Sequence, residues 1–289
     1  MLTVSIIIPS LNSPIINKVV DSVIQQEQFE TVRELIIIGK DEAQLIKPAT
    51  PVQFVETEKP ILAAAARNRG ISVSTGELII FLDSDCLAQP GGLAEHSAAH
   101  QAGHCVVSGG ILPEGNNYWH LSYNLTLFHE LLSTNSAESK DFLATLNLSV
   151  DRSIIEQIGM MDETINRVED IDWTTRMRQA GIQPYFWPKA AVYHDHSRHT
   201  FKSVWRDCAL SGFHMRQLRL RYSGWLNAPK ILRYRLLVLL LSPFIAGWAT
   251  CRILLRRKSI SRQFPHTIPA IFLTKIAWCW GAGQANPPQ

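Results

Sequence analysis

The 289-residue chain has few cysteines, and none of them is in a paired arrangement. Its five cysteines include no CxxC motif, so neither a zinc site of that type nor a disulfide framework is indicated. Reduced thiols, as in the cytosol, are therefore expected. The first residues also lack a basic stretch followed by an apolar segment and a cleavage site. No export signal is predicted from them.

Acidic residues are absent from the last 82 residues of the chain. All 25 Asp and Glu lie at or before Asp207, together with 16 of the 28 Lys and Arg. Residues 1–207 thus carry a formal charge of 16 − 25 = −9, whereas residues 208–289 carry +12. This asymmetry indicates two regions in different surroundings, and a basic region suits an anionic membrane surface or nucleic acid.

The apolar stretches of the basic region are short for membrane spans. Residues 236–251 form an uncharged run of 16, whereas a simple span needs about 20 residues. A second run, residues 268–280, is interrupted by Lys275. Pro243 and arginines at both ends of the first run favour an interfacial or re-entrant helix, and a buried helical hairpin is the alternative.

We therefore expect two domains, a catalytic one over residues 1–225 and a membrane-associated helical region over residues 226–289. The expected location is the cytoplasmic face of a membrane, reached through peripheral, monotopic or short-span helices. No recognised nucleic-acid motif accompanies the basic residues, so no nucleic-acid partner is predicted.

Strand-like and helix-like segments alternate through the first part of the chain. The patterns predict strands and helices in turn, with strands at 2–8, 34–38, 52–55 and 77–82 and helices at 15–26 and 61–74. Strands separated by helices imply right-handed crossovers. The expected class is α/β, with a mostly parallel sheet flanked by helices, which binds ligands at the carboxyl ends of its strands.

The last of these strands runs directly into Asp83-Ser84-Asp85. Two carboxylates this close repel each other unless a cation lies between them, and a hard divalent ion with oxygen ligands satisfies both. Mn²⁺ or Mg²⁺ is the expected cofactor, with its shell completed by water and the diphosphate of a nucleotide-linked substrate. The alternative is a solvated turn in which the two acids cap the next segment.

Two further motifs lie in the second half. Glu169, Asp170 and Asp172 open a predicted helix, where acids also serve ordinary capping and dipole roles. A later β-like run ends in His194-Asp195-His196. A histidine there is a packed or solvated residue in the ordinary case, or else an imidazole ligand for the same metal ion.

Taken in order, these motifs resemble the family 2 glycosyltransferases, inverting enzymes of the GT-A (Rossmann-like) fold, over about residues 3–215. The matching segments are 4–12, 66–71, 76–85, 108–110, 146–149, 158–163 and the pair Glu169-Asp170.

The resemblance implies a hexosyltransferase that moves a sugar from a nucleotide-sugar donor to an acceptor hydroxyl. It implies that Asp170 is the catalytic base and that Asp83, Asp85 and His194 bind the metal ion, with His196 as an alternative to His194. The donor-binding residues that it implies are Pro9, Ser10, Asn12, Asp41, Arg67, Asp83 and Ser84.

The chain departs from the family's pattern after its second strand. Gly39 and Lys40 stand where an acidic pair usually reads the uracil and ribose, and Asp41 can substitute if the turn shifts. Ser13 stands where another acid follows Asn12. The donor base is therefore left open, and the predicted location suggests a glycan or lipid acceptor.

Two other functions remain open. A nucleotide-sugar-binding protein of the same fold without turnover is compatible with the altered turn. A sugar-phosphate nucleotidyltransferase is disfavoured, because residues 9–14 contain neither the glycine nor the lysine of the loop that such enzymes usually carry.

Overall fold

The computed structural model describes residues 2–286. Its strands are β1 Val4–Leu11, β2 Val32–Lys40, β3 Val52–Glu56, β4 Leu78–Leu82, β5 Cys86–Ala88, β6 Val106–Ile111, β7 Glu138–Ser139, β8 Asn147–Asp151 and β9 Tyr185–His194. Its helices are α1 Ile16–Ile24, α2 Ala63–Val73, α3 Gly92–Gln101, α4 Tyr118–Leu127, α5 Arg152–Ile158, α6 Glu169–Gln179, α7 Phe201–Arg221, α8 Arg235–Leu240, α9 Ser242–Arg256, α10 Lys258–Gln263 and α11 Ile268–Gly283.

The strands form one mixed sheet in the order β3-β2-β1-β4-β8-β6-β9-β5, with β7 paired to β9. Strands β1 to β4 are parallel, as the alternation of strands and helices predicts. Strand β8 runs antiparallel to both β4 and β6, and β5 runs antiparallel to β9. The α/β class is confirmed, and parallel pairing is found among β1 to β4 and again between β6 and β9.

The parallel strands are apolar on both faces because helices cover them. In β4 every residue from Leu78 to Leu82 is buried. Helix α2 approaches the sheet closely through Gly70, where a Cβ would lie only 2.5 Å from Cγ2 of Ile7. This approach fixes the position of Arg67, one turn earlier on the same helix.

The described chain divides into two compact units. The first comprises residues 2–112 and 136–195 and contains the sheet with α1, α2, α3, α5 and α6. The second comprises residues 113–135 and 196–286 and contains α4 and α7 to α11. These units are defined by how compactly their residues pack. The boundary expected at residue 225 instead separates a catalytic region from a membrane-associated region, and it stays a prediction.

The second unit is helical and has apolar cores of its own. One core consists of Leu232, Val238, Cys279 and Ala282. Another consists of Leu125, Leu132, Ile253, Ile260 and Ile271. Within residues 2–286, none of the helices combines the length and the apolar character needed to cross a membrane.

Candidate active site

The predicted donor-binding residues of β1 and β4 meet at the carboxyl edge of the parallel strands. Ser10 pairs with Gly39 across β1 and β2. Beyond β1, Oγ of Ser13 donates a hydrogen bond to the carbonyl oxygen of Ser84 at 2.7 Å. This bond joins the loop after β1 to the Asp83-Ser84-Asp85 motif. The edge is the place where open α/β sheets bind ligands.

The last residues of β2 explain why an acid is missing at residue 39, which is still part of the strand. Gly39 has a φ of +142°, and a Cβ at this position would lie 1.8 Å from the carbonyl oxygen of Ser10. The backbones of β1 and β2 therefore approach each other too closely for any side chain at residue 39. Lys40 forms an ion pair with Glu56 at 3.1 Å.

Asn12 and Asp41 shape the loops at this edge. The side-chain oxygen of Asn12 accepts from the backbone N–H of Glu42 at 2.8 Å. Oδ2 of Asp41 accepts from the backbone N–H of Ile46 at 2.6 Å, and the Asp41 residue is buried. Both predicted donor-binding residues thus hold the backbone of the turn that follows β2.

Arg67 is the buried cation of the site. It is only 3% exposed, and its guanidinium donates to Asp83 Oδ1 at 2.7 Å and to Glu169 Oε1 at 2.8 Å. Burial alone would lower the pKa of Arg67, but Asp83, Glu169 and Asp170 outweigh it, and the pKa is raised. The guanidinium stays charged and links the metal motif to the acidic start of α6.

The start of α6 is held in an unusual backbone conformation. Val168, the residue before the helix, has a φ of +65°, which is strained for a β-branched side chain. Oδ2 of Asp170 accepts from the backbone N–H of Thr145 at 3.4 Å. From α2, Asn68 hydrogen-bonds to both backbone groups of Met161, with N–O distances of 2.9 and 3.0 Å. These contacts hold the acidic segment close to α2.

Asp170 has a pKa suited to accepting a proton near neutral pH. Its pKa is raised to about 7, chiefly by burial among protein atoms and then by the like charge of Glu169. The charge of Arg67 acts in the opposite direction and lowers the pKa of Asp170. A general base is most effective when its pKa lies near the working pH.

Asp85 and His194 come together through strand pairing. In the antiparallel pair of β5 and β9, Cys86 lies opposite His194, and the backbone N–H of Asp195 donates to the carbonyl of Asp85 at 2.8 Å. His194 Nε2 is 3.5 Å from Asp85 Oδ2. Asp85, Cys86 and His194 each offer a ligand atom within 4.8 Å of the others.

The chemistry of this group fits a divalent ion. Carboxylate oxygen suits Mn²⁺ and Mg²⁺, and imidazole adds a preference for a transition metal such as Mn²⁺. Burial and the charges of Asp85 and Asp83 raise the pKa of the Cys86 thiol well above its ordinary value. The oxygen and nitrogen donors therefore define the site.

The structure does not bring every predicted ligand into this group. Asp83 lies against Arg67 instead. His196 belongs to the second unit, where its ring packs against His120 and Tyr123 at centroid distances of 4.0 and 4.5 Å. His194 is therefore the histidine that accompanies Asp85.

The sequence pattern did not single out Asn68 or Val168, and it did not predict that Glu169 pairs with Arg67. Arg67 and Glu169 are 102 residues apart, and no spacing rule links them. The signal that was available is the run Arg67-Asn68, two long polar side chains on the buried face of an alanine-rich helix. Buried polar residues of this kind require partners.

A second polar group resembles a nucleophile with a base, but it lies between α3 and β8. His100 contacts Ser149 Oγ at 2.8 Å and Asp151 Oδ1 at 2.6 Å, and His96 also contacts Ser149 Oγ at 2.8 Å. Ser149 is fully buried. Because no substrate can reach it, this group satisfies polar atoms inside the fold.

The mixed sheet with helices on its faces and acidic residues at its edge has the architecture of a GT-A fold. Residues 5–159 match the family described as Glycosyl transferase family 2. This match covers more than half of the chain. The chain belongs to glycosyltransferase family 2.

Curated relatives are glycosyltransferases as well. The Pre-mycofactocin glycosyltransferase of Mycobacterium tuberculosis is 32% identical over 141 residues, which cover 46% of this chain and 30% of that protein. Glycosyltransferase AglE of Haloferax volcanii is 25% identical over 193 residues, which cover 63% of this chain and 64% of AglE. The match thus spans less than a third of the mycobacterial protein's length.

Solved structures share the fold. The mannosyltransferase PcManGT from Pyrobaculum calidifontis, in complex with GDP-Man and Mn²⁺, has a TM-score of 0.62 and 16% identity, covering 96% of this chain and 86% of PcManGT. GalNAc-T7 with UDP, GalNAc and Mn²⁺ has a TM-score of 0.56 and 16% identity, covering 70% of this chain and 45% of GalNAc-T7. At these identities the likeness concerns the fold.

Proposed function

We propose that this protein transfers a sugar from a nucleotide-sugar donor to an acceptor hydroxyl with inversion, and that Asp170 is the catalytic base. The observation that carries the proposal is the buried ion-pair arrangement in which Arg67 bridges Asp83 and Glu169 beside Asp170. Beside this arrangement, burial and then the like charge of Glu169 raise the pKa of Asp170 to about 7, against the opposing effect of Arg67. A carboxylate of this kind deprotonates a hydroxyl effectively at neutral pH.

The reaction is a single displacement. The acceptor oxygen forms a bond to the anomeric carbon while the bond from that carbon to the diphosphate oxygen breaks. The acceptor proton passes to Asp170, and the electron pair of the broken bond leaves with the nucleoside diphosphate. Base catalysis of this type contributes about 10²- to 10⁴-fold in rate.

Asp85 and His194 would hold Mn²⁺ or Mg²⁺, which supplies positive charge for the leaving diphosphate when bound. PcManGT and GalNAc-T7 were solved with Mn²⁺. In this chain Arg67 holds Asp83 in place and keeps the adjacent carboxylates from repelling one another. Ser10, Asn12 and Asp41, with Pro9 and Ser84, form the edge that receives the nucleotide.

The proposed acceptor is a lipid or a lipid-linked glycan. The basis is the stretch of residues 208–289, which has 12 Lys and Arg and no acid. Cationic and apolar surfaces together suit anionic lipids of a cytoplasmic leaflet. The proposed functional division at residue 225, with residues 226–289 on the membrane, follows from the same features.

The first experiment measures nucleoside diphosphate release from UDP-, GDP- and dTDP-sugars with Mn²⁺, Mg²⁺ or EDTA. Metal-dependent release from one donor is expected, and Asp85→Ala and His194→Ala should abolish it. Cys86→Ser is the matched control, since it changes a neighbour of both residues and leaves the oxygen and nitrogen donors intact. It should retain activity within about threefold, because a buried thiol of raised pKa is a poor ligand.

The other outcomes have distinct meanings. The protein could bind nucleotide in a metal-dependent way and yet neither release nucleoside diphosphate nor transfer sugar to the lipid and glycan acceptors supplied. This result would favour a binding protein without turnover. Formation of pyrophosphate from a sugar phosphate and a nucleoside triphosphate would favour a nucleotidyltransferase. Loss of metal-dependent release in Cys86→Ser, restored at higher metal concentration, would show that the Cys86 sulfur is a ligand.

A further inference from the structure

The outer surface of α8 and α9 carries a stripe of exposed apolar side chains. Leu240 is 74% exposed, Phe244 76%, Trp248 60% and Leu255 73%. Their positions recur at helical spacing, so they lie on one side of the two helices. We call this stripe the apolar face, and its members are Leu237, Leu240, Leu241, Phe244, Trp248 and Leu255.

The opposite side of the same helices is already packed. Val238, Ala246 and Ile253 are buried, and Val238 and Ile253 each belong to an apolar core of the second unit. The core therefore needs only one side of α8 and α9. A helix on a protein surface normally turns polar residues to water on its other side. The apolar face replaces that polar side over both helices, and contiguous patches of this kind mark interaction surfaces.

Cations border the apolar face at both ends. Arg233 and Arg235 precede it and Arg256 and Lys258 follow it, and all four are exposed. Within the face, the guanidinium carbon of Arg252 is 5.2 Å from the ring centroid of Trp248. No acidic residue follows Asp207 in the sequence. Glu130 pairs with Arg257 at the end of α9, and the four exposed cations at the ends of the apolar face are additional to this pair.

We infer that the apolar face inserts into the surface of an anionic lipid bilayer, with α8 and α9 lying in the plane of the membrane. A bilayer with anionic headgroups satisfies both features at once, because its acyl boundary accepts Leu, Phe and Trp and its headgroups attract Arg and Lys. The mixture of Trp and flanking cations is typical of the interfacial region. This inference rests on the membrane placement proposed for residues 226–289 and specifies which surface binds; it does not depend on the proposed reaction.

Two other geometries fit the observations less well. A second copy of the chain docking face to face would bring the same cations together without any acid to pair with them. A transmembrane arrangement lacks a suitable helix within the described residues. An in-plane arrangement needs only one apolar side, which is what α8 and α9 provide.

The test is sedimentation of the full chain with vesicles of phosphatidylcholine alone or with 30% phosphatidylglycerol. The unaltered protein is expected to bind the anionic vesicles and to dissociate from them at high salt. The double variant Phe244→Ser/Trp248→Ser should bind about tenfold more weakly or worse, because two apolar side chains no longer insert. Its matched control is Ile24→Ser/Val73→Ser, which removes two exposed apolar residues of the first unit and should bind normally.

A variant with fewer cations tests the role of the flanking positive charge without altering the apolar face. Changing Arg233, Arg235, Arg256 and Lys258 to Gln should weaken binding to anionic vesicles by about tenfold or more and remove the preference for them. Circular dichroism confirms that each variant is folded. In the unaltered fold, brominated lipids should quench tryptophan fluorescence, and Trp248→Phe should reduce the quenched fraction.

The inference is wrong if the full chain binds neither vesicle type, or if Phe244→Ser/Trp248→Ser binds as well as the control. It is also wrong if light scattering shows an oligomer that only this double variant dissociates, since the face would then be a contact between copies. Nucleotide-sugar turnover without vesicles is measured in parallel. Retained turnover together with failed binding would overturn the membrane surface and leave the proposed reaction standing.

Discussion

Asp83, the first carboxylate of the Asp83-Ser84-Asp85 motif, accepts a hydrogen bond from Arg67 Nη2 at 2.7 Å. The second carboxylate, Asp85, lies 3.5 Å from His194 Nε2. The two acids therefore serve different partners, although only one residue separates them. One is held by the guanidinium of Arg67, and the other lies beside the imidazole of His194.

Replacing Arg67 should destabilise the fold as well as the site. In Arg67→Ala, Asp83, Glu169 and Asp170 would face one another without the buried cation, and we expect a loss of about 3 kcal/mol in the free energy of unfolding. Urea denaturation at pH 7.5 measures it. Arg69→Ala is the matched control, because Arg69 lies two residues further along α2 and is exposed. Equal stability of the two variants would contradict the role given to Arg67.

The pH dependence of the reaction should report Asp170. The base must be deprotonated, so kcat/KM is expected to rise with pH through the Asp170 pKa of about 7. Asp170→Asn should lower kcat by about 10²- to 10⁴-fold. In Glu169→Gln the rise should move to lower pH, because the like charge that raises the Asp170 pKa is gone. If the pH profile of kcat/KM does not move in Glu169→Gln, the charge of Glu169 does not raise the pKa of the base. The assignment of that base to Asp170 is then contradicted.

The same pKa predicts that Asp170 costs stability. Its pKa in the folded state, about 7, is above that of an unfolded Asp, so the folded protein binds more protons between these values and loses stability as pH rises from about 4 to 7. Asp170→Asn removes this titration. Its gain in the free energy of unfolding should grow over the same pH range and level off near about 2 kcal/mol.

Urea unfolding of unaltered protein and Asp170→Asn from pH 4.5 to 8.5 checks this stability effect independently of activity. Asp21→Asn, at an exposed position on α1, is the control and should show no such trend. A gain that is constant with pH would mean that packing, and not ionisation, separates the two proteins.

The sequence predicted the elements that depend on local pattern. Apolar runs predicted β1 and β4. The resemblance to the family predicted that the motif residues lie together at one edge of the sheet. It did not show which carboxylate Arg67 binds, because those partners lie 16 and 102 residues away and meet only when α2 and α6 have packed. Strand β8 is antiparallel to β4 and β6, although a mostly parallel sheet was expected. The reason is similar, since the direction of strand pairing depends on contacts distant in sequence.

The sequence also did not predict which side of α8 and α9 is exposed. The run of residues 236–251 is apolar all round, and its composition does not distinguish a buried hairpin from an interfacial helix. The structure separates the two sides, because Val238 and Ala246 are buried whereas Phe244 and Trp248 are exposed. Which side remains exposed is decided by packing against the rest of the second unit.

Gly39 provides a test of why the acidic turn is absent. The position combines a φ of +142° with a Cβ that would lie 1.8 Å from the carbonyl oxygen of Ser10. Gly39→Ala should therefore lower the free energy of unfolding by about 3 kcal/mol or more, since β1 and β2 must separate to admit a methyl group. Gly91→Ala separates the two causes. Gly91 also has a positive φ, +79°, but a Cβ there would meet no atom within 4 Å.

The Gly91→Ala change should cost only about 1 kcal/mol, from backbone conformation alone. Thermal denaturation of both variants measures the difference. If Gly39→Ala is the less stable variant, an acid at residue 39 would require β1 and β2 to separate. The donor base would then have to be recognised by Lys40, Asp41 and their neighbours. If both variants are equally stable, the strands tolerate a side chain there, and Gly39→Asp becomes a direct test of whether an acid at that position shifts the donor preference toward uridine nucleotides.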